Sequence, residues 1–338
     1  MIDFILANAL HIPLAAESVQ MIATSPPFYG LRDYNVDGQI GLEQSPAEYI
    51  AKLVDVGREL WRVLRKDGTL WLNLGDSYGG SGKGRSGGGQ GPSSGKQLTN
   101  RGAYFDIDKG KRNGNGHGRY GGGGQAGKQL MGIPWRVALA LQADGWYLRS
   151  DIIWHKPNPM PESIQDRPTK SHEYIFLMSK SARYYYDAKA IQEPAATGWR
   201  GSSFTDERDV ATKPGLGMGK RNGNGDGNYS KRYAEAQPAH GGESNREDTG
   251  FRNKRDVWTI APQNYSGAHF AVWPEKLVEP MILAGSKRGD IVLDPFSGSG
   301  TTGRVAFKHG RRYVGLDLNP EYMTLAEERT AVIQMAGL

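Results

Sequence analysis

Two strand–helix–strand runs, one near each end of the chain, restrict the fold more than any other feature. Val19 to Thr24 is a short apolar run of strand length. From Pro46 to Leu64 the apolar positions Tyr49, Leu53, Val56, Leu60, Val63 and Leu64 recur at helical spacing. Ser45-Pro46 opens that helix with an N-cap and a first-turn proline, and Lys66-Asp67-Gly68 closes it. Thr69 to Leu74 then reads as a second strand, and joints this short argue for parallel strands in one sheet. Near the C-terminus, strands at Asp290–Leu293 and Tyr313–Leu316 bracket a glycine-rich turn and a helix from Thr302 to His309. A last helix covers Pro320 to Met335.

The remaining ordered pieces fit around these runs. Residues 2–7 form a strand, a helix with an early proline starts at Ile133, and Trp273 to Leu283 form another helix. Tyr147–Trp154 and Glu173–Ser179 are two strands separated by the polar, proline-rich stretch from Lys156 to Lys170. Sequential neighbours often pair, so one of them is expected to run antiparallel at a sheet edge. Two segments cannot bury enough apolar surface to fold alone. Residues 79–130 form a glycine-rich insertion with eight lysines and arginines between Lys83 and Arg119, against Asp106 and Asp108. Residues 181–256 are polar, glycine-rich and mixed in charge, and carry scattered aromatic residues. Lys111 to Gly116 and Lys220 to Gly225 spell the same six residues, too few for a structural repeat.

Two strand ends carry candidate chemistry. After Thr24 the chain reads Ser25-Pro26-Pro27-Phe28-Tyr29-Gly30. Successive prolines stiffen the path and donate no backbone hydrogen bonds, so a hydroxyl, free carbonyls and an aromatic ring are presented together where open α/β sheets bind ligands. Taken alone, the stretch is also explained as a turn closing a strand. The second site is Asp294-Pro-Phe-Ser-Gly298-Ser-Gly300-Thr-Thr302. Its glycines allow close approach of backbone to a ligand at a helix N-terminus, and Asp317 ends the next strand where a ribose hydroxyl would lie. A P-loop is excluded because the Gly-Lys-Ser/Thr ending is absent, and the third glycine of a dinucleotide fingerprint is missing.

Composition narrows the chemistry. The absence of cysteine removes disulfides, thiolate metal sites and a cysteine nucleophile together, and the seven histidines show no metal-site spacing. A net charge of +6 favours a polyanionic partner. No apolar run reaches membrane-span length and the N-terminus lacks a signal-peptide pattern, so a soluble, cytoplasmic protein is expected.

Thr24 to Phe28 resembles the catalytic motif of the S-adenosylmethionine-dependent amino-methyltransferases that act on DNA, written Asp/Asn/Ser-Pro-Pro-Tyr/Phe. Asp294 to Thr302 resembles their cofactor loop, and His269 to Leu277 the segment that precedes it. The order, catalytic motif first and cofactor loop late, is that of the permuted β group. Leu70–Tyr78 and Asp151–Pro157 resemble further shared segments, so the similarity spans most of the ordered chain. The resemblance implies a Rossmann-like methyltransferase fold in one domain, with a mostly parallel seven-stranded sheet, one antiparallel strand and the two polar insertions. It places a target-recognition region at residues 181–256.

It also implies roles. Ser25 and the Pro26 carbonyl would accept the two N–H bonds of an exocyclic amine, held by the stiff Pro26-Pro27 turn, while Phe28 stacks on a base flipped from double-stranded DNA. Asp294, Phe296, Gly298, Gly300, Thr301 and Thr302 would hold the amino-acid part of S-adenosyl-L-methionine, and Asp317 its ribose. Methylation at cytosine C5 requires a thiolate, which this chain lacks. Serine at position 25 favours cytosine N4 over adenine N6. Asn8 stands where relatives often carry an acid near the adenine. A cognate restriction endonuclease is a possible partner. The rivals are RNA or protein-amide methylation, and a DNA-binding protein that has lost catalysis.

Overall fold

A computed structural model describes residues 1–79, 128–195, 250–263 and 272–335. Strands β1 (Ile2–Leu6), β2 (Val19–Thr24), β3 (Leu64–Leu74), β4 (Tyr147–His155), β5 (His172–Ser179), β8 (Val257–Thr259), β9 (Ile291–Asp294) and β10 (Arg312–Asp317) form one sheet. Its order is β1-β10-β9-β2-β3-β5-β4-β8. The seven strands read from the sequence are all present, and the three-residue β8 adds an eighth at the edge. Only β5 runs against its neighbours, antiparallel to both β3 and β4.

That strand is not at an edge, as pairing of sequential neighbours had suggested. The reason lies in the side chains: Ile175, Phe176, Leu177 and Met178 are all buried and suit a strand covered on both faces. β4 alternates between exposed and covered positions and takes the outer place. β8 then pairs parallel to β4, from Ile153↔Val257 to His155↔Thr259.

Helix α1 (Pro46–Val63) begins where Ser45 Oγ accepts the Glu48 N–H at 3.2 Å and buries Tyr49, Leu53, Val56, Leu60 and Val63. With α2 (Ile133–Ala143) it covers one face of the sheet, over Ile22, Leu70, Leu72 and Leu293. Helices α3 (Glu275–Gly285) and α4 (Thr301–Lys308) cover the other, over Met21, Ala23, Trp71 and Val292. Alternate residues of the same strands thus feed two separate cores. Helix α5 (Pro320–Met335) follows β10.

The glycine-rich insertion does not interrupt the path from β3 to α2. Gly79 N–H donates to Gln129 O at 2.8 Å and Lys128 N–H returns a bond to Gly79 O at 2.7 Å, closing a neck. Both oxygens of Asp76 accept backbone N–H groups from the start of α2, Gly132 and Ile133, at 3.0 Å each. The insertion between these ends, the repeated hexapeptides and most of 181–256 lie outside the described residues.

The chain divides into two units, residues 1–191 with 254–338, and residues 192–253. Of the second, the described part is a short antiparallel pair, β6 (Glu193–Pro194) with β7 (Phe251–Arg252), clasped by Arg252 Nε donating to Glu193 Oε1 at 3.0 Å. Residues 181–191 belong to the first unit. Tyr185 N–H donates to Asp67 O and Asp187 N–H to Ala284 O, both at 2.8 Å. The Tyr186 ring stacks on the fully buried Trp71 at 6.4 Å, and Trp258 meets Trp71 at 6.4 Å. No helix among the described residues is long and apolar enough to cross a membrane.

Trp71 therefore joins the central sheet to two peripheral segments. Truncation to alanine (Trp71→Ala) should lower unfolding free energy by about 3–5 kcal/mol, read from chemical denaturation.

Candidate active site

The connection from β9 through α4 leads outward to β10, and that from β2 through α1 leads outward to β3 on the other side. Strand order therefore reverses between β9 and β2, which is where open α/β sheets form a ligand crevice. One buried carboxylate ties the two strands there. Asp294 Oδ1 accepts the Thr24 hydroxyl at 2.7 Å and the Phe296 N–H at 3.1 Å, while Oδ2 accepts the Thr302 hydroxyl at 2.8 Å. Burial pushes the Asp294 carboxyl up to about 6, although these three donors pull against it.

Past Thr24, the Ser25 hydroxyl sits 3.0 Å from Asn73 Oδ1, at the end of β3. Asn73 is 1% exposed, and its amide nitrogen donates to the Tyr174 carbonyl of β5 at 3.1 Å. A carbonyl only accepts, so the NH₂ group must face Tyr174 and Oδ1 must face Ser25. Ser25 consequently donates its one proton to Asn73, and its lone pairs are left as acceptors.

The prolines that follow differ in use. Pro27 O accepts the Tyr49 hydroxyl from α1 at 2.9 Å, whereas no hydrogen bond to Pro26 O is found among the described residues. The turn is pinned again where Gly30 N–H donates to Gly41 O at 2.7 Å. Phe28 packs its ring over Gly75, where an added Cβ would lie 2.5 Å from the ring. Only glycine at position 75 lets the ring lie there.

The glycine turn is built as its spacing predicted. Gly300 holds φ +75°, and a Cβ there would meet the Ala326 side chain of α5 at 3.0 Å. Gly298 N–H donates to Asp317 Oδ2 at 2.9 Å, and Asn319 N–H donates to Oδ1 at 2.9 Å. Burial raises the Asp317 carboxyl above the usual range. Phe296 is half-buried, and Thr301 is buried with its hydroxyl oxygen lacking a partner among the described residues.

Ser25, Pro26, Pro27 and Phe28 are thus brought to the crevice from one side. Asp294, Phe296, Gly298, Gly300, Thr301, Thr302 and Asp317 come from the other. Asp294 and Asp317 differ in character from the rest, since both oxygens of each accept hydrogen bonds from within the chain, hydroxyls and one N–H at Asp294 and backbone N–H groups alone at Asp317. Asn8 is turned on itself, with Oδ1 accepting the Leu10 N–H at 2.9 Å. Sequence reasoning did not single out Asn73, Tyr49 or Gly75, which orient the turn from other elements. It also missed Tyr34 and Tyr322, whose rings meet edge to face at 6.2 Å and whose hydroxyls are raised chiefly by burial and further by the Asp317 charge. Strand-end position was the signal available for Asn73 and Gly75, and the tyrosines carried none.

A family model described as DNA methylase, covering N6 and N4 enzymes, matches residues 19–328. The Type II methyltransferase M.Cfr9I of Citrobacter freundii is 40% identical over 329 residues, covering 96% of this chain and 87% of the relative. M.SmaI of Serratia marcescens is 41% identical over 316 residues, covering 94% and 85%. Among solved structures, the cytosine-N4-specific PvuII DNA methyltransferase aligns with a TM-score of 0.57 at 17% identity, covering 98% of this chain and 90% of that one. A putative DNA modification methylase of Thermus thermophilus, complexed with S-adenosyl-L-methionine, aligns at 0.54 and 20%, covering 98% and 94%.

The Asp294 geometry makes a pH-dependent prediction. The folded state holds this proton up to about pH 6, while an unfolded aspartate releases it near 3.8. The stabilisation by the retained proton is full below pH 3.8 and is lost as pH rises to about 6, a change of order 3 kcal/mol. Urea denaturation of wild type and Asp294→Asn at pH 4 and pH 7 should show wild type losing ground to the variant at the higher pH.

Proposed function

The chain belongs to the N6/N4 DNA methylase family, and on that footing we propose that it methylates the exocyclic amine of a base flipped out of duplex DNA. The methyl donor in this reading is S-adenosyl-L-methionine, and cytosine N4 is the favoured target. The observation that carries it is the Ser25–Asn73–Tyr174 relay, which makes the serine an obligatory acceptor beside the Pro26 carbonyl, itself unbonded among the described residues. Two acceptors side by side match the two N–H bonds of an amine.

The residues present fit the methyl donor. The buried Thr301 hydroxyl, which lacks a partner among the described residues, and the first N–H groups of α4 are available for the amino-acid moiety. In this reading Asp317 accepts from the ribose hydroxyls, and the nearby Tyr34 and Tyr322 rings, whose hydroxyls feel its charge, support it. When bound, the cofactor supplies an electrophilic methyl group on a sulfonium centre.

The protein's share is orientation. An exocyclic amine is a weak nucleophile because its lone pair is delocalised into the ring. Ser25 Oγ and Pro26 O, accepting both protons, favour a pyramidal nitrogen with its lone pair free of the ring. Phe28, backed by Gly75, offers a flat surface against which the base is held. The Tyr49 bond to Pro27 O keeps the turn from rotating. Positioning of this kind is the principal source of rate for a direct displacement. The methylated nitrogen is then acidic enough to give its extra proton to water, so the site needs no dedicated base.

Serine rather than aspartate before the prolines supports cytosine N4. Adenine N6 is the second reading, because the family model spans both activities. The Type II relatives support a site-specific enzyme with a partner endonuclease. The net charge of +6 supports duplex DNA as substrate, with residues 79–130 on the phosphate backbone and the 181–256 region reading the target.

Tritium transfer from labelled S-adenosyl-L-methionine to DNA tests the reaction, and single-molecule sequencing of DNA from expressing cells reports the base and its context. No transfer to any natural duplex would sink the proposal. Ser25→Ala should lower kcat about a hundredfold, the scale of losing one catalytic hydrogen bond, with cofactor Kd unchanged. Full activity of that variant would remove Ser25 from the mechanism.

A further inference from the structure

We infer that Met160 is the wedge that enters the DNA stack in place of the flipped base, an inference that rests on base flipping as proposed above. At 85% exposure it is the most exposed large apolar side chain among the described residues. An isolated surface methionine would need no explanation, but this one is held in an unusual setting.

Met160 lies between Pro159 and Pro161, and Pro157 precedes them. Each proline locks its own φ, and each residue before a proline is confined to extended conformations. Residues 157–161 therefore make a stiff stretch of backbone that carries the Met160 side chain in solvent. Little conformational freedom is left in that backbone to be lost on contact.

The loop bearing this stretch is anchored beside the crevice. It leaves β4 at His155 and re-enters the sheet at His172, on the edge where β2 and β3 end. Lys156 N–H donates to Ser171 O at 2.7 Å, closing the loop at its base. Lys170 Nζ donates to Asp76 O at 2.5 Å. The Arg167 guanidinium lies 3.9 Å from the centre of the Tyr78 ring and donates to Glu162 at 2.9 Å. Residues 76 and 78 directly follow β3, the strand that supplies Asn73 to Ser25. Counting across β2, β3, β5 and β4, the base of the loop stands two to three strand spacings from the serine, about 10–14 Å. That is close to the roughly 12 Å width of a major groove. A duplex delivering a base to Ser25 would lie against this same edge.

The chemistry of the gap fits the side chain. Extruding a base leaves two apolar ring faces unstacked, at a cost of a few kcal/mol. Proteins that open base steps do so with apolar side chains, methionine among them. A thioether chain is narrow, unbranched and polarisable, so it fits between ring faces that a β-branched residue would crowd.

Full-length wild type, Met160→Ala and Met160→Leu are compared on two duplexes carrying the site that wild type methylates. One has the target base correctly paired, and the other has it mispaired and therefore already loosened. The alanine variant should lose about tenfold in kcat/KM on the paired duplex and stay near wild type on the mispaired one, because the opening step is then relieved. The leucine variant should stay near wild type on both. Equal activity of Met160→Ala and wild type on the paired duplex would overturn the wedge, and so would an equal loss on both duplexes. If wild type transfers no methyl group to any natural duplex in the tritium assay, no such pair of duplexes can be made and it is the proposed function itself that is overturned.

Discussion

One carboxylate holds the two halves of the crevice in register. Asp294 joins β9 to β2 through the Thr24 hydroxyl, across 270 residues of sequence, and joins both to α4 through Thr302. The strand carrying the Ser25 turn and the strand carrying the glycine turn therefore share one buried hydrogen-bonded centre. A buried carboxylate without donors would be costly, so both threonines are required by the aspartate as much as it is by them. This centre fixes the distance between Ser25, one residue past Thr24, and the loop that begins at Asp294. A displacement reaction depends on that distance, and the fold sets it at the point where strand order reverses.

The same logic governs the serine turn, at smaller scale. Ser25 has one proton and could point it in several directions, but Asn73 leaves it a single use because Tyr174 fixes the amide. Three strands thus cooperate to convert a hydroxyl of mixed character into an acceptor. Tyr49 performs a similar sorting between the two proline carbonyls, bonding Pro27 O and leaving Pro26 O. In the proposed reading, selection of a group with two N–H bonds rests on these neighbours, since serine and proline alone do not encode it.

The elements that were legible in the sequence are those whose information is local. Strand β2, the start of helix α1 and the glycine turn each carry periodicity, a cap or punctuation within one window, and they appear in the structure where those signals lie. Motif residues were legible for the same reason. Lys66-Asp67-Gly68, read as closing α1, instead falls inside β3, because the helix already ends at Val63. What was not legible depends on contacts distant in sequence. The inward place of β5 follows from its burial on both faces, which became apparent only once β4 and β8 were seen beside it. Asn73 and Gly75 read as an ordinary strand end because their meaning comes from Ser25 and Phe28, nearly fifty residues earlier. Trp71 and Tyr186 illustrate the converse. A stretch that looked polar and loop-like at its start is held to the core by aromatic rings that composition counted but could not place.

The stiff methionine loop follows from the same organisation. Strands β4 and β5 could be joined by a short polar turn, yet sixteen residues with four prolines connect them, tied down at Asp76 and Tyr78. Rigidity in a connection has a cost only if nothing is gained by holding its tip still. The anchors converge on the residues that follow β3, so any force on the loop is transmitted to the strand that orients Ser25. In the proposed reading, the loop that would support an opened duplex and the turn that would receive the extruded base are anchored on the same edge of the sheet. Opening of the stack and seating of the amine would then be coupled through the sheet.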